Sequence, residues 1–460
     1  MPFLDHLRQD LPARYYLGID IGYKEHVAVV IPLASFLRGG TQWQRARCLH
    51  FASTQQGLAQ LDQYLVGFSA DPAAFLGLCE PTGGYYGATL FEHLIEQCYP
   101  MRWIDNGAVR KMRDQLFPQL AKTDEMDPRV MARIGYLHEA VGEEFNLRPL
   151  VLPSADDADL LALCRDHWKL STLICRARNQ FTQLMAVVFP ELKTFFTSSV
   201  STLAPVQLVA RYASPADLSA ATVDDIAALL HQVRAHKHAW RAAELQALAR
   251  TSAGVVPDAG RAWRIAWLTT FLRDNFAHDE QLEKRIEQMV RQRADYCLVE
   301  SVPYAGPSTL GLILAATGDV NRFSTYRRYV AYTGYFAGLE QSQTIDRTKM
   351  SKRGNRDLKR ALFQIVAPLV WLDKEANPYK TLYQRKMAEG RPWYAAMPFA
   401  CAALARHLYH CLKTKDPYDV AQAFRTPLSA RACDEALAEL HGNLDDKIEE
   451  MEASLSQMAP

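Results

Sequence analysis

A short stretch near the start of the chain, residues 16–22, constrains the fold more than any other. It reads Tyr-Leu-Gly-Ile-Asp-Ile-Gly, and its alternation of apolar with small or acidic residues predicts a half-buried β-strand. A carboxylate in mid-strand is costly to bury without a partner, and glycine beside it lets another group approach the backbone. Asp20 is therefore a candidate for facing a metal ion or a phosphate. The alternative is an edge-strand acid that faces water.

Two large fold classes begin with such a strand, the RNase H-like nucleases and the actin-like ATPases. Over residues 15–140 the pattern predicts three strands, then a helix, a strand, a helix, a strand and further helices. This order is typical of an RNase H-like domain. An actin-like ATPase would need a second Asp-Gly strand loop and a glycine-pair nucleotide pocket, and the sequence shows neither.

Composition narrows the functional classes. The 460 residues are 49% hydrophobic and 22% charged, which is ordinary for a soluble chain of two to four domains. The net charge is +1, so affinity for nucleic acid must come from local basic patches. None of the nine cysteines has CxxC spacing, and no apolar run approaches roughly 20 residues. The charged residues among the first fourteen do not predict a signal peptide. We expect a cytoplasmic protein with reduced thiols and no membrane partner.

The middle of the chain predicts long helices. After a linker at residues 141–156, apolar residues recur every seven positions in two rows over about four heptads, which indicates a coiled-coil seam. The rows are Leu160, His167, Ile174, Phe181 and Val188, and Leu163, Leu170, Ala177 and Leu184. A second long helix is predicted from about Trp263 to Cys297. The two would form an antiparallel hairpin with residues 191–260 inserted at its tip.

Residues 298–415 predict a second compact, mainly α-helical unit. Its residues 302–310 contain Pro, Gly and Pro and predict a helix-hairpin-helix-like turn, whose backbone N–H groups suit a phosphate; a purely structural tight turn fits the spacing equally. A basic stretch interleaved with tyrosines follows and favours a nucleic-acid-binding surface over a merely solvated helix face. Its candidate residues are Arg322, Arg327, Arg328, Arg347, Lys349, Lys352, Arg353 and Arg356.

Four acids lie at predicted strand ends and at a helix start: Asp20, Glu80, Asp124 and Asp127. Converging carboxylates repel one another and would not all ionise without a counter-charge. Divalent cations with hard oxygen ligands, Mg²⁺ or Mn²⁺, supply it, and two ions roughly 4 Å apart suit phosphodiester chemistry. The competing interpretation makes Asp127 an ordinary N-cap, because Pro128 favours a helix start.

These residues resemble motifs of the DEDD-type transposases of bacterial insertion sequences, a family that includes a pilin-gene DNA invertase. The N-terminal motifs are Gly18-Ile19-Asp20, Glu80-Pro81-Thr82-Gly83 through Tyr85, and Lys122-Thr123-Asp124 with Asp127. The C-terminal motifs are Ser301-Val302-Pro303 with Gly306, Gly318-Asp319 with Arg322-Phe323, Ala331-Tyr332 with Gly334, Gln341-Ser342, and Ser351-Lys352 with Gly354-Asn355 through Arg360. The resemblance covers about residues 1–140 and 298–415, and the order of the motifs makes it specific.

The resemblance implies a recombinase with a split active site. The RuvC-like acids Asp20, Glu80, Asp124 and Asp127 would bind two Mg²⁺ or Mn²⁺ ions, and Ser342 would attack DNA to form a phosphoserine link. Relatives usually have Gly where this chain has Gln343. The resemblance also implies donor and target DNA, a noncoding guide RNA, a homodimer or homotetramer, and a nucleoid-associated bacterial location.

The predicted domains are a RuvC-like catalytic domain (1–145), a coiled coil with its insertion (146–297), a C-terminal transposase domain with Ser342 (298–416) and a helical tail (417–460). Four alternatives stay open at this point. They are a RuvC-like junction resolvase, a DNA invertase, an actin-like ATPase and a non-catalytic nucleic-acid-binding scaffold.

Overall fold

The computed structural model describes residues 13–81, 85–117, 123–335, 337–342, 345–350, 354–375 and 377–420. It divides into two compact units, Met1–Leu152 and Pro153–Pro460. Most of the predicted tail at 417–460 lies outside the described residues. No helix in the described part of the chain is long and apolar enough to cross a membrane.

The first unit is built on a mixed six-stranded sheet with the order β3-β2-β1-β4-β5-β6. Strands β1, β4 and β5 are parallel, whereas β2, β3 and β6 each run antiparallel to the strand beside them. The order of the first five strands is consistent with an RNase H-like domain. The strands are β1 (Tyr15–Ile21), β2 (His26–Pro32), β3 (Leu49–Phe51), β4 (Phe75–Cys79), β5 (Met101–Trp103) and β6 (Arg148–Pro149).

Helices cover both faces of this sheet. They are α1 (Leu33–Leu37), α2 (Gln55–Val66), α3 (Ala88–Glu96), α4 (Asn106–Leu116) and α5 (Met126–Tyr136). The odd-numbered residues of β1 pack with α2 and α3 in one core, as Leu17 does with Leu61 and Leu90. The even-numbered face packs with α4 and α5 in a second core. The prediction of alternating strands and helices is confirmed.

One local prediction in this unit was wrong. Residues 141–156 were predicted to be a linker, but β6 lies there and pairs with β5, so the segment belongs partly to the sheet. The competing interpretation of Asp127 as an N-cap is also excluded, because Glu125 occupies that position and Asp127 lies inside the first turn of α5. Proline is tolerated in the first turn of a helix, so Pro128 did not force the helix to start after Asp127.

Within its described residues, the second unit is mainly helical and contains a two-stranded hairpin. Its helices are α6 (Ala155–Val188), α7 (Leu192–Phe195), α8 (Leu203–Arg211), α9 (Pro215–Ala220), α10 (Val223–Gln232), α11 (His236–Ala239), α12 (Ala242–Arg250), α13 (Ala259–Arg291), α14 (Pro307–Thr317), α15 (Tyr326–Thr333), α16 (Arg356–Trp371), α17 (Pro378–Ala388) and α18 (Trp393–Thr414). The hairpin strands are β7 (Ala337–Ser342) and β8 (Ile345–Met350).

The long helices α6 and α13 pack against each other and run antiparallel. Near the start of α6, Leu160 shares a core with Val290, which lies near the end of α13. Further along, the Ser171 hydroxyl donates to the Asp279 carboxylate at 3.2 Å. Towards the end of α6, Phe181 packs in a second core with residues from the first half of α13. The predicted second helix was placed from about 263 to 297, whereas α13 begins and ends earlier in the chain.

The helices between α6 and α13 in the chain contribute to the second core, where they pack with the second half of α6 and the first half of α13. Helices α14 to α18 surround the first core, which also takes in Leu160 and Val290 from the long helices. The segment before α14 contains only a short 3₁₀ turn, Tyr296–Leu298, and Gly306 is the N-cap residue of α14.

Candidate functional site

Asp20 and Glu80 lie at the same edge of the N-terminal sheet. Strands β1 and β4 are parallel neighbours, and Ile19 is paired with Cys79 in their register. Asp20 follows Ile19 within β1, and Glu80 follows Cys79 directly after β4. Both residues are half-buried. The carboxyl ends of parallel strands meet at one edge of a sheet, so the fold brings these two acids to adjacent backbone positions, as the sequence predicted.

Helix α5 crosses the same strand at very short range. A Cβ atom built on Gly18 would lie 1.9 Å from the Pro128 carbonyl oxygen and 3.0 Å from the Ala132 backbone nitrogen. Because side chains two residues apart in a strand point to the same face, Asp20 belongs to the face that α5 covers. The first turn of α5, which contains Asp127, therefore lies over the strand that carries Asp20.

Asp127 is buried, with an exposed fraction of 4%, and its carboxylate is bound to an arginine. Arg113, in the last turn of α4, donates from Nη1 to both carboxylate oxygens at 2.7 and 3.0 Å. The hydrogen bond from Arg113 to Asp127 raises the pKa of the guanidinium. Arg113 was not among the predicted site residues. No local spacing signals it, because its partner lies on the next helix.

Asp124 is exposed and lies in the turn before α5. Its neighbour Glu125 is held by Arg129 at 2.6 Å and by His50 Nε2 at 3.4 Å. Burial raises the pKa of the Glu125 carboxyl, but the hydrogen bonds from Arg129 and His50 outweigh burial, so the pKa is lowered. Arg129 also donates to the Ala46 carbonyl oxygen, at 2.9 Å from Nη2. These contacts anchor the start of α5. Only the Glu125–Arg129 spacing was visible in the sequence.

In the second unit, Ser342 is the last residue of β7 and is paired with Ile345, the first residue of β8. The sequence predicted a polar loop here, and the structure instead places Ser342 at the closed end of a β-hairpin. Arg347 and Lys349 lie on β8. Lys352 and Arg353 lie outside the described residues.

The other predicted basic residues differ in their surroundings. Arg322 is exposed but packs over two rings, with its Cζ atom 4.6 Å from the Phe323 centroid and 4.7 Å from that of Tyr332. It also donates to the Ala316 carbonyl oxygen at 3.3 Å. Arg327 is half-buried, whereas Arg328 and Arg356 are exposed. Arg322 therefore contributes to packing although it is exposed, because its guanidinium covers the rings of Phe323 and Tyr332.

Comparisons with known sequences match both ends of the chain. Residues 17–190 match the family model of DEDD transposases of IS110, and residues 296–383 match that of the transposase IS116/IS110/IS902 family. The two matches belong to one family and together span more than half of the chain. The chain belongs to the IS110 family of DEDD-type transposases. It is therefore an enzyme that acts on DNA. This decides against the actin-like ATPase and the non-catalytic scaffold.

Two relatives of this transposase come from Streptomyces coelicolor. One is named "Insertion element IS110 uncharacterized 43.6 kDa protein" and is 27% identical over 288 residues, which cover 62% of this chain and 68% of the relative. The other is named "Mini-circle putative transposase for IS117" and is 29% identical over 159 residues, which cover 33% of this chain and 36% of the relative.

A DEDD-type domain points to the use of a divalent metal. The donor chemistry at the sheet edge fits, because Asp20 and Glu80 offer hard carboxylate oxygens at adjacent positions. Asp127 is bound by Arg113 instead, and among the described residues no three His, Cys, Asp or Glu side chains form a group that could hold an ion. The transposase therefore holds Asp20 and Glu80 at adjacent backbone positions and pairs Asp127 with Arg113.

Proposed function

We propose that this transposase cuts and rejoins DNA phosphodiesters with a metal-dependent acid site in its first unit and a serine in its second. The observation that carries the proposal is the adjacency of Asp20 and Glu80 at one sheet edge, under the helix that begins beside Asp124 and contains Asp127. Membership of a DEDD-type family supports the same assignment. The RuvC-like character of the domain is part of the proposal.

Asp20, Glu80, Asp124 and Asp127 would together bind two Mg²⁺ or Mn²⁺ ions. When bound, such a pair polarises a phosphate and stabilises charge on the attacking and leaving oxygens. Asp20 and Glu80 orient the site because they belong to the ends of rigid, buried strands. Asp124 and Asp127 complete it from the start of α5.

Ser342 is the proposed nucleophile. Its hydroxyl oxygen forms a bond to the phosphorus of the scissile phosphate, the bond from phosphorus to one deoxyribose oxygen breaks, and the serine proton ends on that leaving oxygen. The phosphoserine link conserves the phosphodiester for rejoining, when the reverse exchange transfers it to a new strand. Arg347, Lys349, Lys352 and Arg353 would offset phosphate charge beside it.

The remaining partners belong to the same proposal. A noncoding RNA would select donor and target DNA by base pairing, while the protein contacts backbone and shape. The basic residues 322, 327, 328 and 356 and the predicted helix-hairpin-helix segment 302–310, which contains the N-terminus of α14, would supply phosphate contacts. A coiled coil formed by the long helices α6 and α13 would join copies into a dimer or tetramer. Action at the bacterial nucleoid follows from the DNA substrate.

Substitution of the acids and the serine in a two-plasmid recombination assay tests this function. The gene is expressed with its flanking noncoding DNA, and recombinant junctions are counted. We expect Asp20→Asn, Glu80→Gln and Ser342→Ala each to reduce junctions by at least about 100-fold, as loss of a central catalytic group does. Matched controls are Asp71→Asn, an N-cap of the same unit, and Ser324→Ala, an exposed serine of the second unit; both should remain active.

The outcome also separates the rival enzymes. A denaturing gel that shows a covalent protein–DNA adduct in the wild type, absent in Ser342→Ala, supports the serine nucleophile. Metal-dependent junction cleavage that survives Ser342→Ala identifies a RuvC-like junction resolvase and rejects the serine mechanism. Full recombination by Asp20→Asn rejects the acid site.

Purification of the protein from cells that carry the flanking DNA tests the guide RNA. We expect a discrete RNA, transcribed from the element, to copurify and to be required for recombination. Recombination by protein freed of RNA would reject RNA guidance and leave the acid site unaffected.

A further inference from the structure

We propose that Arg113 is a built-in counter-ion that occupies Asp127 in the metal-free protein and is displaced when a divalent cation binds. The inference rests on the proposed function, because it concerns the same acid site. It assigns Arg113 as a positioning residue: it controls when Asp127 becomes available, without contacting the substrate.

The burial of Asp127 explains why a counter-ion is needed. Its exposed fraction is 4%, and burying a carboxylate at such a depth without a partner charge is strongly unfavourable in free energy. Arg113 meets both oxygens from a single nitrogen, and its own side chain has an exposed fraction of only 16%. The ion pair therefore fixes the position of the Asp127 carboxylate before any metal binds.

The helices at either side favour the same pairing. Arg113 lies in the last turn of α4, where the helix dipole stabilises a cation, and Asp127 lies in the first turn of α5, where it stabilises an anion. The pair thus stabilises the packing of α4 on α5 as well as the carboxylate. Both residues are held by regular secondary structure, so their separation is reproducible.

The two cations compete for the same atoms. With Arg113 on both oxygens, Asp127 cannot present an unshared carboxylate to an ion held by Asp20 and Glu80. Arg113 has a second acceptor nearby, because its Nε atom lies 3.5 Å from Asp114 Oδ1, and Asp114 is largely exposed. A small rotation of the guanidinium towards Asp114 and solvent would release Asp127 to the metal without leaving the arginine unsolvated.

Metal affinity of the full-length protein, measured by calorimetric titration with Mn²⁺ in the absence of nucleic acid, tests the inference. We expect Arg113→Gln to bind Mn²⁺ at least about tenfold more tightly than wild type, because the Arg113 guanidinium no longer has to be displaced from Asp127. Arg110→Gln, on the same helix and largely exposed beside Asp114, should bind as wild type does. The metal-free melting temperature of Arg113→Gln should fall, since the buried Asp127 loses its ion pair with Arg113.

Arg113→Gln in an Asp127→Asn background distinguishes competition between Arg113 and the metal for Asp127 from a general effect of removing a positive charge. If Arg113 acts by occupying Asp127, removing Arg113 has no effect on Mn²⁺ affinity once Asp127 is neutral. An equal gain of affinity in both backgrounds overturns the inference, as does unchanged affinity in Arg113→Gln. If Arg113→Gln does not fold, Arg113→Lys is tested in its place. A lysine ammonium binds the Asp127 carboxylate less strongly than the guanidinium, so the Mn²⁺ affinity should still rise. Unchanged Mn²⁺ affinity overturns the inference.

A second comparison distinguishes this inference from the proposed function. Mn²⁺ binding that is abolished in Asp20→Asn but unchanged in Arg113→Gln leaves the acid site intact and rejects the role of Arg113 alone. Mn²⁺ binding that is absent from wild type, or insensitive to Asp20→Asn, rejects the acid site and the role of Arg113 together.

Discussion

The Pro128 carbonyl oxygen lies 1.9 Å from the point where a Cβ atom on Gly18 would be. This close approach sets the distance between the strand that carries Asp20 and the helix that carries Asp127. Both sides of it belong to the backbone, so neither can move aside as a flexible side chain would. Because Gly18 has no side chain, α5 can pack directly against the strand that carries Asp20.

Substitution of Gly18 should consequently unfold or displace α5. We expect Gly18→Ala to destabilise the N-terminal unit by about 2 kcal/mol, the effect of forcing a methyl group into a packed interface. Scanning calorimetry would show it as a lower transition temperature. The matched control is Gly260→Ala in α13, where the nearest atom is 3.4 Å away and alanine favours the helix. A transition unchanged in Gly18→Ala would contradict the close packing.

The basic residues of the second unit should divide into two groups. Arg356→Ala and Arg328→Ala each remove an exposed charge. Each should make the negative slope of log affinity against log salt less steep, by about 0.9 per phosphate that the arginine neutralises. The melting temperature should change little. Arg322→Ala should also lower the melting temperature, because the alanine no longer packs over the rings of Phe323 and Tyr332. Filter binding with duplex DNA and with RNA at several salt concentrations measures the slopes. Unchanged slopes for Arg356→Ala and Arg328→Ala would place the nucleic acid elsewhere.

A buried histidine should make the second unit sensitive to acid. Burial lowers the pKa of His407 to about 4, and its Nδ1 atom lies 2.7 Å from the Tyr379 hydroxyl oxygen. Below the unfolded value of about 6.5 the unfolded chain takes up a proton that the folded chain refuses, so stability falls as pH falls from 6.5 to 4. The loss attributable to this group is about 3 kcal/mol at pH 4.

Unfolding midpoints between pH 7 and pH 4 check this dependence. We expect His407→Asn, which keeps a hydrogen-bonding group near Tyr379, to reduce the slope of stability against pH. His278→Asn, at an exposed position on α13, serves as the control and should leave the slope as in wild type. An identical slope in His407→Asn and wild type would show that other groups carry the acid sensitivity.

The order of elements in the N-terminal unit was predictable, because it is written in local periodicity. Alternation over residues 16–22 marked β1, and apolar spacing from Gly57 to Phe68 marked the helix that the structure has at Gln55–Val66. The two seven-residue rows likewise predicted one long helix from Asp157 to near Pro190, and the structure has it at Ala155–Val188. Element boundaries were less predictable: β6 is only two residues long, and its pairing with β5 leaves no periodic trace.

The acid site was predictable in part for the same reason. The positions of Asp20 and Glu80 follow from strand order, and their adjacency follows from the parallel register. The roles of all the predicted site residues, including Ser342, remain predictions for the substitutions described above. The anchoring of α5 by His50 was out of reach, since His50 lies 75 residues from Glu125 in the sequence.

The amino-acid sequence by itself determined the family, the order of strands and helices, and the position of the first acid, because each is encoded in residues close together along the chain. Tertiary structure alone decided that α5 lies directly on Gly18 and that Asp127 is bound by Arg113. Both depend on which helix faces meet once the sheet is covered. A buried carboxylate takes the cation that packing brings to it, and no local pattern records that choice.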